Sequence, residues 1–153
     1  MKRAIISAMV AALLLSGATL VSAQRPPPPP MTIEMLQAEF TARTGSDVVY
    51  FIGNSHGLNA NTQQILMAQA TWLLANPAIR ARIEGHADER TPRDYALAVA
   101  ERRATAVRDF MVLQGVPETQ LTIISWGKER PVVVGSSEGA LALNRRVKTV
   151  LMR

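Results

Sequence analysis

One run of residues limits the fold more than any other. Thr91 to Gln114 reads as a single long helix between two short strand-like runs, "ARIEG" (Ala81–Gly85) and "LTIIS" (Leu121–Ser125). Thr91 is the expected cap, Pro92 the first helical residue, and Asp94 the acid three residues after the cap; Gly115 supplies the stop. A helix between two strands is a crossover, and crossovers of that length imply parallel pairing. The pattern occurs once more, upstream. "DVVYF" (Asp47–Phe51) is β-branched and aromatic, as strands are. "GNSHGLNAN" then breaks the chain with glycines and asparagines. "TQQILMAQATWLLAN" (Thr62–Asn76) has helical spacing at Ile65, Leu66, Ala68, Gln69, Trp72 and Leu73, and Pro77 ends it. "VKTVLM" (Val147–Met152) is a last strand after a loop with room for a short helix, and so short a return allows an antiparallel partner. "TIEMLQAEFTAR" (Thr32–Arg43) is a short amphipathic helix ahead of them all. The order predicts an α/β fold, an α+β sandwich of βαβαβ type: one mixed sheet of about four strands with helices packed on one face.

The start of the chain is a different kind of sequence. Met1-Lys2-Arg3 is basic, Ala4 to Leu15 is apolar, and Val21-Ser22-Ala23 places small residues where a signal peptidase reads. Residues 1–23 are therefore expected to be a secretory signal peptide cut after Ala23; the alternative is an uncleaved membrane anchor. Residues 24–31, "QRPPPPPM", form a Pro-rich linker, a stiff spacer of roughly 3 Å per residue. Residues 32–46 are the first helix and its lead-in, and 47–153 form the domain. The expected location is the periplasm. Losing Lys2 and Arg3 with the leader lowers the formal charge from +5 to +3. That charge is mild and aromatic residues make up only 5% of the chain, so a nucleic-acid surface is not supported. There is no cysteine, hence no disulfide and no lipid anchor of the bacterial lipoprotein kind.

The chemistry concentrates in "IEGHADERTPRDY" (Ile83–Tyr95), which runs from a strand end into a helix start, a place where ligands gather in α/β sheets. On a wheel of the long helix, Ala96, Val99, Ala100, Ala106, Val107 and Phe110 fall on the same side as Arg103. Arg103 thus sits inside the apolar stripe, while Arg102 sits at its edge. A buried guanidinium keeps its charge, so something acidic should meet it. Asp88 is the candidate, either as a direct ion pair that closes the loop onto the helix or through a zwitterionic ligand. "NRRV" offers Arg145 and Arg146, as a solvated strand entrance or as further donors to an anion. Glu84, His86 and Asp88 make a poor metal set, because the other histidine, His56, is thirty residues away. Asp88 and Glu89 are adjacent and cannot flank a sugar from two sides. With no nucleophile pattern either, no catalytic residue, metal or cofactor is assigned, and the chain reads as a non-enzyme.

At these residues the sequence resembles the OmpA C-terminal-like domain family, most closely its Pal (peptidoglycan-associated lipoprotein) branch. The resemblance is carried by "EGHADER…PRDYALAVAERRATAVRDFMVLQGV", then "LTIISWGKERPVV" and "NRRV", and with "VVYF" it covers roughly residues 47–153. It implies non-covalent binding of peptidoglycan, with the diaminopimelate residue of the stem peptide held by an aspartate that matches Asp88 and an arginine that matches Arg103. Asn54, Arg145 and Arg146 join them as expected site residues. The chain departs from the family in several places. An aspartate-rich turn is replaced by Ile52-Gly53-Asn54, an asparagine by Ala96, a serine by Ala98, and the lipidated cysteine is missing. Two functions are therefore expected to compete. One is a cell-wall-binding module that supports envelope integrity, with outer-membrane association through partners. The other is a degenerate OmpA-like fold that engages a protein, such as a Tol-system component, without binding the wall.

Overall fold

The computed structural model describes residues 25–153, so the expected signal peptide lies outside the described residues. Residues 25–30 are exposed and form neither helix nor strand. The domain runs α1 (Ile33–Thr44), β1 (Val48–Tyr50), α2 (Ala60–Ala75), β2 (Arg80–His86), α3 (Arg93–Leu113), a 3₁₀ turn (Glu118–Gln120), β3 (Leu121–Gly127), α4 (Glu138–Asn144) and β4 (Arg146–Met152). Capping explains most helix starts. Thr32 accepts from the Met35 amide at 3.3 Å, Asn59 from Thr62 at 2.9 Å and Ser137 from Ala140 at 3.2 Å. Asn59 thereby starts α2 two residues earlier than the apolar spacing predicts. The start of α3 corrects another expectation. Pro92, not Thr91, occupies the cap position, and no side chain caps this helix. Thr91 offers its carbonyl to Lys128 Nζ instead, at 2.7 Å.

The strands form one mixed sheet in the order β1-β4-β2-β3. β2 and β3, joined through α3, are parallel, as the crossover requires. β4 lies antiparallel between β1 and β2, so these two strands share a direction without touching. Alternation sends Val49, Ala81, Ile83, Val147 and Leu151 to the helix side. There they meet Phe40, Leu66, Trp72, Leu73, Val107 and Met111 in one core. Phe40 and Trp72 pack edge to face, 5.2 Å between ring centres. The buried face of α3 is turned slightly from the expected one. Ala104 and Met111 are fully buried, whereas Ala106 and Phe110 are only half-buried. Trp72→Ala is expected to cost about 3–5 kcal/mol in urea denaturation, and Phe110→Ala clearly less. Equal losses would mean that the helix faces are misassigned.

α3 reaches β2 through Gly85. A β-carbon added there would lie 2.0 Å from the carbonyl oxygen of Ala100. This contact seats the middle of α3, and with it Arg103, directly over the end of β2. Gly127, at the end of β3, has φ +53° and faces Leu97 in the same way.

Candidate functional site

The site forms where the end of β2, the loop after β1, the N-terminal half of α3 and the α4–β4 junction converge. Arg103 is fully buried. Among the described residues it meets no carboxylate. Its Nε donates to the Ser55 carbonyl at 2.8 Å, Nη1 to His86 at 3.0 Å and Nη2 to Gly53 at 2.6 Å. The Phe51 ring lies 5.3 Å from the guanidinium carbon. The direct Asp88–Arg103 ion pair is therefore corrected. Three main-chain carbonyls supply the negative ends that the burial demands, and they tie the loop after β1 to β2. These three bonds use three of the five guanidinium N–H groups. Burial pushes the pKa of Arg103 down to about 10; Asp88 opposes this and Arg145 reinforces it. The group stays charged at neutral pH.

Asp88 is buried and engages other arginines. Its Oδ1 accepts from the Arg90 amide at 3.0 Å. Its Oδ2 accepts from Arg90 Nη2 at 2.7 Å and from Arg145 Nη1 at 3.3 Å. Burial alone would raise its pKa, but hydrogen bonds from the side chain and backbone of Arg90, then from Arg145, outweigh it and hold the carboxyl below its usual range. Arg145, 5% exposed, also donates to the Phe51 carbonyl at 3.2 Å and to Glu138 at 2.7 Å. Arg145 is therefore no solvated strand entrance. It is the buried partner of Asp88, and Glu138, which sequence spacing does not single out, is its second acid. Asn54 is exposed on the loop, between Gly53 and Ser55, whose carbonyls Arg103 holds. Ala96 is buried against Ala87 and Ala100 in a small apolar seat. Ile52 is 80% exposed.

Arg146 does not come to this pocket. Entry into β4 alternates side chains, so Arg146 turns to the sheet face away from the helices, where its Nη2 donates to the Arg130 carbonyl at 3.1 Å. His86 turns to the same face and is 2% exposed. Burial first, then the charges of Arg146, Arg130 and Lys148, push its pKa from 6.5 down to about 3. The folded state thus binds fewer protons than the unfolded chain between those values. This contribution to stability is fully present above about pH 6.5 and is lost as pH falls towards 3. Unfolding followed at pH 7 and pH 4 is expected to show a loss of a few kcal/mol, reduced in His86→Gln. An unchanged pH dependence in that variant would mean that His86 is not the group responsible.

The sequence profile of the OmpA family matches residues 50–145. The peptidoglycan-associated lipoprotein of Agrobacterium fabrum is 45% identical over 115 residues, which are 75% of this chain and 64% of that relative. The protein of the same name from Brucella melitensis is 45% identical over 113 residues, 74% and 67% of the two chains. The chain thus spans about two thirds of the length of these relatives. The crystal structure of the peptidoglycan-associated lipoprotein from Burkholderia pseudomallei matches with a TM-score of 0.69 at 36% identity, covering 71% of this chain and 92% of that one. The C-terminal domain of Helicobacter pylori MotB, 20% identical, shares the fold with a TM-score of 0.66 and covers 70% and 84%. The matched span runs from β1 through both crossovers to the buried Arg145, and relatives close to half identical run through it: the chain belongs to the OmpA family.

Proposed function

We propose that this domain binds peptidoglycan non-covalently in the periplasm, by the stem peptide, and performs no catalysis. The observation that carries the reading is a charge imbalance: two buried guanidiniums, Arg103 and Arg145, face one buried carboxylate, Asp88. Such a set favours a ligand that brings one carboxylate and one ammonium group, as the free end of diaminopimelate does. In this reading Asp88 receives the ammonium. The carboxylate takes N–H groups of Arg103, either the two unspent ones or those released as Gly53 and Ser55 move aside. Arg145 holds Asp88 in place, and Asn54 flanks the ligand from the loop. The relatives at 45% identity are peptidoglycan-associated lipoproteins, which supports the same class of partner.

The test is titration of the protein with a diaminopimelate-containing muropeptide, followed by amide chemical shifts. Saturable shifts are expected at Gly53, Ser55 and Glu89. Asp88→Asn should weaken binding by about 30-fold or more, since truncating one member of a buried charge set costs roughly 2–5 kcal/mol. A lysine-containing muropeptide lacks the extra carboxylate and should bind more weakly. Equal affinity for the two muropeptides would refute the role of Arg103, and no shift with either would refute wall binding.

One observation favours the second reading, an interaction module for an envelope protein of Tol-system type. Tyr50, Ile52 and Leu143, all exposed, line an apolar hollow of about 370 Å³ beside Arg145. Ile52 makes the rim of this hollow apolar. Failure to sediment with purified sacculi, together with capture of a purified Tol-type partner that Ile52→Asp abolishes, would select this reading.

A further inference from the structure

The sheet face turned away from the helices carries a second set of polar side chains, independent of the stem-peptide reading. β1, β4, β2 and β3 contribute one residue each to a single transverse row. Tyr50 stands opposite Arg146, and the antiparallel register that pairs Gly85 with Val147 sets His86 beside Arg146. On the other side, the β2–β3 register shifts between Gly85 and His86. His86 pairs with Gly127, which brings Trp126 alongside it. Neighbouring strands lie about 4.8 Å apart, so the row is compact.

Three members of this row have buried polar atoms with no hydrogen-bond partner among the described residues: both ring nitrogens of His86, Nε1 of Trp126 and Nη1 of Arg146. His86 and Arg146 are 2% and 8% exposed. A buried polar atom without a partner costs free energy, and three residues of one row share that condition. The charges around them are mostly positive. The Arg130 guanidinium lies 3.4 Å from the centre of the Trp126 ring and forms no ion pair among the described residues. Lys148 follows Arg146 on the same face. Glu84 is the nearby acid, 3.9 Å from His86 Nε2, but its other oxygen is taken by Arg82 at 2.7 Å. The imidazole is neutral at pH 7 and therefore has one N–H to give. The indole N–H and an Arg146 N–H complete a set of three donors from three adjacent strands, with a second guanidinium, that of Arg130, stacked on the indole.

We propose that this row is a binding site for an oxyanion, the phosphate or carboxylate group of a ligand. Trp126 Nε1–H, Arg146 Nη1–H and a His86 ring N–H receive it, and Arg130 turns from the indole face to close over it. Trp126 supplies its own reporter, because its indole N–H gives a separate resonance and Trp72, buried in the core, provides the control. The purified protein is titrated at pH 7 with sodium phosphate, with sodium acetate and with sodium chloride at matched ionic strength. A saturable, millimolar shift of the Trp126 indole is expected, with the Trp72 indole fixed. Arg130→Met and Arg146→Met should each weaken it by about ten-fold or more. A response to phosphate alone identifies a phosphoryl ligand, and a response to acetate as well identifies a carboxylate; both support the site. A chloride response equal to the other two, no saturable response at all, or wild-type titration in Arg130→Met overturns it. Arg130 is exposed, so its variant decides the matter even if Arg146→Met does not fold.

Discussion

Arg103→Ala is expected to lower the unfolding free energy by about 3–5 kcal/mol, besides removing muropeptide binding. The cost comes from the acceptors it leaves behind. The carbonyls of Gly53, Ser55 and His86 each lose a charge-assisted donor. Gly53 and Ser55 lie near the surface and can regain water as the loop shifts. His86 is interior, and its carbonyl stays unsatisfied at about 1–3 kcal/mol. The cavity and the lost contact with Phe51 add the remainder. Relief of repulsion from Arg145 offsets part of it, which keeps the total below the sum of the separate losses. Urea denaturation measures the stability, and amide shifts of residues 52–57 report the loop. A loss under about 1 kcal/mol with an unmoved loop would mean that the three bonds do not hold the segment. Asp88→Asn separates the two roles: it should weaken ligand binding while leaving that loop in place. Arg103→Lys should recover part of the stability and little of the binding, because one ammonium cannot span three carbonyls or clamp a carboxylate in two-point fashion.

Gly85→Ala is expected to be as severe, for a steric reason. The added methyl would sit 2.0 Å from the carbonyl oxygen of Ala100 and 2.7 Å from its carbonyl carbon. Both are backbone atoms in the middle of α3, so no rotamer change relieves the clash. The helix must lift from β2, which opens the core around Ile83, Ala104 and Val107 and pulls Arg103 off its carbonyls. Ordinary overpacking costs about 1–3 kcal/mol; here more than about 3 kcal/mol, or failure to fold, is expected. Gly139→Ala is the control. Its position is helical and has nothing within 4 Å, so it should be neutral or stabilising by about 0.5 kcal/mol. If Gly85→Ala unfolded at the same urea concentration as Gly139→Ala, the close approach of α3 to β2 would be wrong.

Much of this architecture is legible in single stretches of sequence. Pro77 and Gly115 end the two long helices, β-branched runs mark the strands, and the crossover lengths demand a parallel pair, which β2 and β3 form. The place of β4 between β1 and β2 is not legible, because no local pattern records which strands become neighbours. The site divides in the same way. That Arg103 is buried follows from its place on the apolar stripe of α3. That carbonyls rather than Asp88 receive it does not follow, since two of the three arrive from a loop about fifty residues away. Asp88 finds Arg145 by an equally distant contact. The separation of Arg145 from Arg146 was readable: consecutive residues entering a strand take opposite sides, so one pocket could not use both. The same alternation places His86 opposite the helices, whereas the indole and guanidinium that meet it come from a strand and a loop forty residues on.

The position of β4 bears on how and when this chain can fold. The strand that separates β1 from β2 is the last to be made, and without residues 146–152 the sheet falls into a three-residue strand on its own and a parallel pair with one side unsatisfied. The pairing that completes it joins Val48 to Lys148, a closure of about one hundred residues, and loop closure at that distance must precede any reward from the contact. The nascent chain therefore has no native resting point partway along. It is expected to close in one late event, once β4 has been made.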